Sequence, residues 1–248
     1  MCAQTTTRFS MVAVVVAVLM MSGFPDPARS ATLQAPDAQL AGVISRVEAA
    51  HRDTKELQAD FTQTTQYEGF PTPAISKGRL FIRRPDQMRW DYKEPSRHQI
   101  YVNGDEVIYL VPEHQQAIRS TMDREVQSPV PLMLLAGAAT LSERFAISWE
   151  GGPGATNGRY RLQLTSKGSD TLAPLTIEAD AKDFLIRRVT LHDASGTLTI
   201  FEFSSIKLNS GLDTALFTFA PPSGVEVVDA PPLLPQGAPT PKDDITPK

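Results

Sequence analysis

The chain has 248 residues, 41% of them hydrophobic and 21% charged, with a formal net charge of −4. This is ordinary globular composition for one or two domains, and the acidic balance offers no basic surface for a nucleic-acid partner. One cysteine, Cys2, and four histidines leave little material for thiol or metal chemistry.

The N-terminus reads as an export signal. Arg8 supplies a positive start. Residues 11–21 form an uncharged apolar run too short to span a bilayer comfortably, and Gly23, Pro25 and Pro27 break it. Ala28-Arg29-Ser30 places small residues where a signal peptidase reads them, so cleavage is expected after Ser30; a membrane anchor is the alternative. Of the 24 basic and 28 acidic residues, Arg8, Arg29 and Asp26 leave with the signal. The expected mature chain is more acidic by one charge and has no cysteine, which excludes disulfides and acylation at the cleavage site. The expected organisation is a signal at 1–30, one folded domain at 31–229 and a Pro-rich, disordered tail at 230–248.

After a short lead-in, Asp37 is a plausible N-cap. Leu40, Val43, Ile44 and Val47 then recur at helical spacing, predicting an amphipathic helix that ends near residues 51–53. From Leu57 the period changes to two. Leu57, Ala59 and Phe61 share one face, and Gly69, Pro71 and Pro73 mark a turn. Strands follow at 75–83 and 87–92. There Leu80, Ile82, Met88, Trp90 and Tyr92 share one parity, while Arg79, Arg83, Gln87, Arg89 and Asp91 take the other. A sheet with one apolar and one wet face is implied. Residues 97–102 and 106–111 flank Asn103-Gly104-Asp105, a strong hairpin signal, and 117–121 form a further short strand.

Residues 128–143 break the pattern with two prolines, then Leu132, Met133, Leu134 and Leu135, then Gly137. They predict one or two short helices, apolar all round and therefore buried against something apolar. Strands resume at 145–149, 160–165, 175–179, 185–192 and 197–208, with a last short one at 217–219. About eleven strands with hairpin-length connections predict a single, strongly curved antiparallel sheet.

No motif supports an enzyme. Residues 152–158 (GPGATNG) lack the glycine spacing and the following helix of a phosphate loop, and read as a strand connection. His51, His98, His114 and His192 are not spaced as metal ligands. There is no G-x-S-x-G elbow. Asp91 and Glu94 alternate with basic residues, as on a solvated face. The remaining signal is apolar surface: a sheet face and helices to cover it. That arrangement holds either a packed core or a lipid cavity, and periodicity alone does not choose between them. Met88 and Met133 suit adaptable binding, but methionine also fills cores.

Several landmarks then occur in order. Residues 57–63 (LQADFTQ) open the β region. Gly78-Arg79-Leu80, Arg84-Pro85 and Trp90 follow, then Pro95 and Asn103-Gly104, then residues 131–135 (PLMLL). Phe217-Thr218-Phe219 with Pro222, Gly224 and Val225 closes the set. In this order, over about residues 37–229, the chain resembles the periplasmic outer-membrane lipoprotein carriers, the LolA family. The resemblance implies a mainly β fold with a helical lid: an unclosed antiparallel β-barrel covered by short α-helices. It implies a non-enzymatic, monomeric periplasmic chaperone without cofactor, whose apolar cavity receives the acyl chains of lipoproteins. The implied partners are acylated lipoproteins, an inner-membrane ABC lipoprotein-releasing complex and an outer-membrane receptor lipoprotein. The residues placed to line the cavity are Leu80, Ile82, Met88, Trp90, Ile100, Leu132, Met133 and Leu135. Arg84 takes the position of the arginine that holds the lid closed by bonding its backbone, with Arg83 adjacent. Rivals are a periplasmic lipid or lipoprotein sensor of the same fold that regulates a membrane stress-response protein, and a structural β-protein with a packed core. An enzyme, which would need a polar cluster on the concave face, is a third.

Overall fold

A computed structural model describes residues 35–121, 140–168, 173–193 and 195–230. By its contacts the chain divides into Met1–Leu33 and Gln34–Lys248, and all described residues lie in the second unit. The helical segment expected at 128–143, with Leu132, Met133 and Leu135, lies mostly outside the described residues.

The first element is helix α1 (Ala35–Arg52). It begins two residues before the expected N-cap, so Asp37 sits in its first turn. Pro36 is tolerated there because first-turn N–H groups have no partner within the helix. Arg52 ends it, a cation at the negative end of the helix dipole. Beyond it, Thr54 Oγ1 donates to the Ala50 carbonyl at 2.7 Å.

Thirteen strands follow among the described residues. They are β1 (Glu56–Gln66), β2 (Ala74–Arg83), β3 (Gln87–Glu94), β4 (Gln99–Asn103), β5 (Glu106–Val111) and β6 (Gln116–Thr121). A short helix α2 (Leu141–Arg144) leads to β7 (Phe145–Trp149), β8 (Ala155–Thr156), β9 (Arg159–Ser166), β10 (Leu175–Asp180), β11 (Ile186–His192), β12 (Leu198–Leu208) and β13 (Glu226–Asp229). They form one sheet in the order β13-β6-β5-β4-β3-β2-β1-β12-β11-β10-β9-β7, with β8 also on β9. The first and last strands in that order do not pair, so the sheet is open. It nevertheless curls. Trp90 on β3 and Phe201 on β12 are three strands apart, roughly 14 Å on a flat sheet, yet their ring centroids are 5.6 Å apart.

Four expectations need correction. There are thirteen strands, not about eleven: β8 and β13 were missed. Asn157 and Gly158, with φ of 52° and 75°, make the two-residue turn between β8 and β9; that pair of left-handed residues suits a tight hairpin. The sheet is not wholly antiparallel, because β13 pairs with β6 in parallel. Phe217–Phe219 is not a strand. Phe217 ends the 3-10 turn Thr214–Phe217, which Asp213 caps by accepting from the Ala215 N–H at 2.9 Å. Finally, the second face is not simply wet. Tyr101, Ile108, Leu110 and Ala117 form an apolar cluster on it, covered by Phe219, Val225 and Val227 from the C-terminal segment.

The main core lies on the concave face. Phe61, Leu80, Ile82, Met88, Trp90, Tyr92, Ile100, Val102, Leu162, Leu164, Ile177, Phe201 and Phe203 are buried there together, and α1 adds Val43 and Val47 from one stripe. Phe61 packs edge-on against Trp90 and Tyr92, each at 4.9 Å. Gly78, opposite Phe61, is required by close approach. A Cβ there would lie 2.2 Å from the Asp91 carbonyl oxygen and 2.7 Å from the Phe61 ring.

Candidate functional site

The candidate site is a pocket where the C-terminal end of α1 meets the concave face. Its lining, among the described residues, is built from five elements. The end of α1 contributes His51, the link after it Thr54 and Lys55, the start of β1 Leu57, and the end of β2 Leu80 and Ile82, with Arg84 just beyond; β11 and β12 contribute Ile186, Phe203 and Ile206. Strand alternation explains the apolar side: Leu80 and Ile82 are one pleat apart and pair with Ala59 and Leu57 on β1. The backbone N–H of Arg84 donates to the Lys55 carbonyl at 2.9 Å, which holds the two cationic residues at one mouth. The room left is about 20 Å³, enough for a water and no more.

His51 is the buried polar group of the wall, 4% exposed. Its Nδ1 lies 2.8 Å from the Val47 carbonyl; a carbonyl only accepts, so Nδ1 carries the proton. Burial, opposed by that bond, pushes the imidazole down to a pKa of about 4, with Arg84 lowering it further and Asp183 raising it. His51 is therefore neutral at pH 7, and the charge at the mouth belongs to Lys55 and Arg84. Burial also lowers the Arg84 guanidinium pKa, because half-burial removes part of its hydration.

Of the residues placed in a cavity from sequence, Leu80 and Ile82 line this pocket and Arg84 stands at its mouth. Met88, Trp90 and Ile100 lie on the same face but in the packed core, where the Trp90 indole N–H points at Met88 Sδ at 3.0 Å. Leu132, Met133 and Leu135 lie outside the described residues. Sequence reasoning missed His51, Thr54, Lys55, Ile186, Phe203 and Ile206 as site residues. The signal for His51 was present: it continues the Val43, Val47 stripe at four-residue spacing, but it was weighed only as a metal ligand. Phe203 shares parity with Phe201 on β12, a pattern that says "inward" without saying "pocket". Among the described residues no three His, Cys, Asp or Glu come together as a metal would need, and no helix is long and apolar enough to cross a membrane.

Comparison with known proteins agrees with the resemblance. Residues 52–220 match the family described as outer membrane lipoprotein carrier protein LolA. An outer-membrane lipoprotein carrier protein of Methylococcus capsulatus is 31% identical over 188 residues, covering 75% of this chain and 86% of its own. One from Chromohalobacter salexigens is 26% identical over 201 residues, covering 80% and 93%. Among solved structures, an uncharacterised conserved protein of Thermus thermophilus shares the fold, with a TM-score of 0.50, 16% identity and coverage of 77% and 99%. This chain therefore belongs to the LolA family of outer-membrane lipoprotein carrier proteins.

Proposed function

We propose that the protein is a non-enzymatic periplasmic chaperone that holds the acyl chains of lipoproteins against its concave face and carries them from the inner to the outer membrane. The observation that carries this reading is how the apolar face is covered. On its described side the cover is two helices, α1 contributing Val43 and Val47 and the short α2 contributing Leu141 to the buried core, while the sheet contributes the rest. A helix can slide or lift without breaking the hydrogen bonds of the sheet, and every apolar side chain it uncovers is available to a lipid tail.

The energetics suit a carrier. Burial of each CH₂ is worth about 0.8 kcal/mol, so several full-length chains bound in a preformed cavity would hardly leave. In this structure the pocket is nearly full, so cargo must displace α1 or core side chains, and that cost offsets part of the gain. Arg84 is proposed as the latch that favours the closed state, since its five donors sit in a fixed, permanently charged fork. The partners proposed are acylated lipoproteins, an inner-membrane ABC releasing complex as donor and an outer-membrane receptor as acceptor. The export signal at 1–30 belongs to the same proposal.

The test is expression in a Gram-negative periplasm, purification and mass spectrometry of extracted lipid, with release of lipoprotein from spheroplasts as the activity assay. Co-purified acylated lipoprotein or diacyl lipid is the expected result. Arg84→Leu should bind cargo but pass it poorly to an acceptor; normal transfer by that variant would remove the latch from the scheme. The small size of the pocket favours one rival, a β-protein with a packed core. A lipid-free preparation inactive on spheroplasts would establish that rival instead.

A further inference from the structure

A carboxylate joins the two cover helices. Glu48 follows Val47 on α1 and is 9% exposed, the one acid among the buried described residues. Its Oε1 accepts the backbone N–H of Ser142, in the first turn of α2, at 2.7 Å. Thr140, at the cap position of α2, makes no side-chain capping hydrogen bond, so that N–H is met by a side chain 94 residues away in the chain. The two helices sit differently on the sheet. α2 is fixed to it and runs directly into β7. From just beyond β9, the Lys167 N–H donates to the Arg144 carbonyl at 2.9 Å, and Lys167 Nζ donates to the Ser142 carbonyl at 2.8 Å. α1 meets the concave face through apolar side chains, with Val43 and Val47 in the same core as Leu141.

We propose that Glu48 is a positioning residue for acyl-chain uptake, a clasp between the movable α1 and the anchored α2. Acyl chains then enter the concave face only when the bond from Ser142 to Glu48 is broken. The inference rests on the reading that the concave face opens to acyl chains, and it names a bond that opening breaks. Three features argue for it. A buried carboxylate is costly unless it is hydrogen-bonded, and Glu48 draws that bond from the other helix of the cover. A hydrogen bond to a carboxylate is about twice as strong as a neutral one and is directional. A small slide of α1 therefore loses it whole, whereas apolar contacts give way gradually. Lastly, Ser142 is braced from the opposite side by Lys167, so α1 pulls against a partner that stays in place. The clasp stabilises the empty, closed face and adds nothing to the loaded one. It thereby lowers affinity for cargo, as a carrier that must release its cargo requires.

The experiment is a calorimetric titration of the delipidated, exported protein with a diacylated lipopeptide at pH 7.5. Amide hydrogen exchange of the segment carrying Ser142 is followed with and without that ligand. Glu48→Ala is expected to bind the lipopeptide about tenfold tighter than wild type, since opening no longer breaks a charge-assisted bond. Glu48→Gln, which keeps a neutral acceptor, should lie between them. Ser142→Pro removes the donor at a first-turn position where proline is tolerated. It should match Glu48→Ala, and the double variant should bind no tighter than either. In wild type the Ser142 amide should be protected when the protein is empty and exchange faster when it is loaded. A side chain that only held the fold together would weaken binding when removed, so the sign of the change separates the two roles. Thermal unfolding shows which variants are folded; if Glu48→Ala is not, Glu48→Gln against wild type decides with the same sign. Three results would overturn the clasp and leave the carrier reading standing, given binding by wild type: equal or weaker binding by the Glu48 variant, additive gains in the double variant, or a Ser142 amide still protected in the loaded protein. Lipopeptide binding by none of these proteins would overturn both.

Discussion

Acid should loosen this fold through His51, by an amount the structure allows to be worked out. The ring is 4% exposed and carries its proton on Nδ1. Burial brings its pKa to about 4 in the folded protein, against about 6.5 in an unfolded chain. The folded value is the lower one, so as pH falls the unfolded chain takes up its proton first. The stability His51 contributes by staying neutral is thus complete above about pH 6.5, is lost progressively from there down to about pH 4, and changes no further below. The full difference is about 3 kcal/mol, and at pH 4.5 some 2–3 kcal/mol should already be gone. Urea unfolding followed by circular dichroism at pH 7.5 and 4.5 measures this, with His51→Leu as the reference. Carboxylates held low by their partners, such as Asp60 beside Arg79 and Asp180 beneath the Lys182 N–H, also lose stability in acid. They do so equally in both proteins and cancel in the comparison. Wild type should lose roughly 2–3 kcal/mol more than the variant. Equal losses would refute the buried, neutral histidine and with it this account of the pocket wall.

Two further substitutions probe the face itself. Gly78→Ala should destabilise by about 2 kcal/mol or more, because the new methyl meets the Asp91 carbonyl, which as backbone cannot swing aside; a change under about 0.5 kcal/mol in urea unfolding would mean that the strands do not approach this closely. Trp90→Ala removes the fully buried indole that touches Phe61 and Phe201, so a loss of about 3–5 kcal/mol is expected. If that loss came out below about 1 kcal/mol, Trp90 would be lining an empty cavity in solution and not the packed core seen here.

Two recognisable periods carried the architecture. Leu40, Val43, Ile44 and Val47 declared α1, and the shared parity of Leu80, Ile82, Met88, Trp90 and Tyr92 declared which side of β2 and β3 faces inward. Both are local: a side chain's direction on a helix or strand follows from backbone geometry within a few residues. Gly104, with φ of 59°, made the β4–β5 turn equally legible, since the conformation of a two-residue loop limits its residue types. The strand β13 was not legible. Glu226–Asp229 is four residues long, and its pairing with β6 spans more than a hundred residues of chain. Its apolar neighbours Phe219 and Val225 had no visible target until Tyr101, Ile108 and Leu110 turned out to lie on the outer face. The pocket was hidden for the same reason. Leu80, Ile82 and Arg84 announced a face and a cation, but His51, Lys55, Ile186 and Phe203 join them only because the sheet curls and brings β11 and β12 beneath the end of α1. Sequence alone determined which side chains point inward and that the inward side is apolar. Only the tertiary structure decided which of them pack against one another and which surround a pocket, because that depends on contacts between strands far apart in the chain.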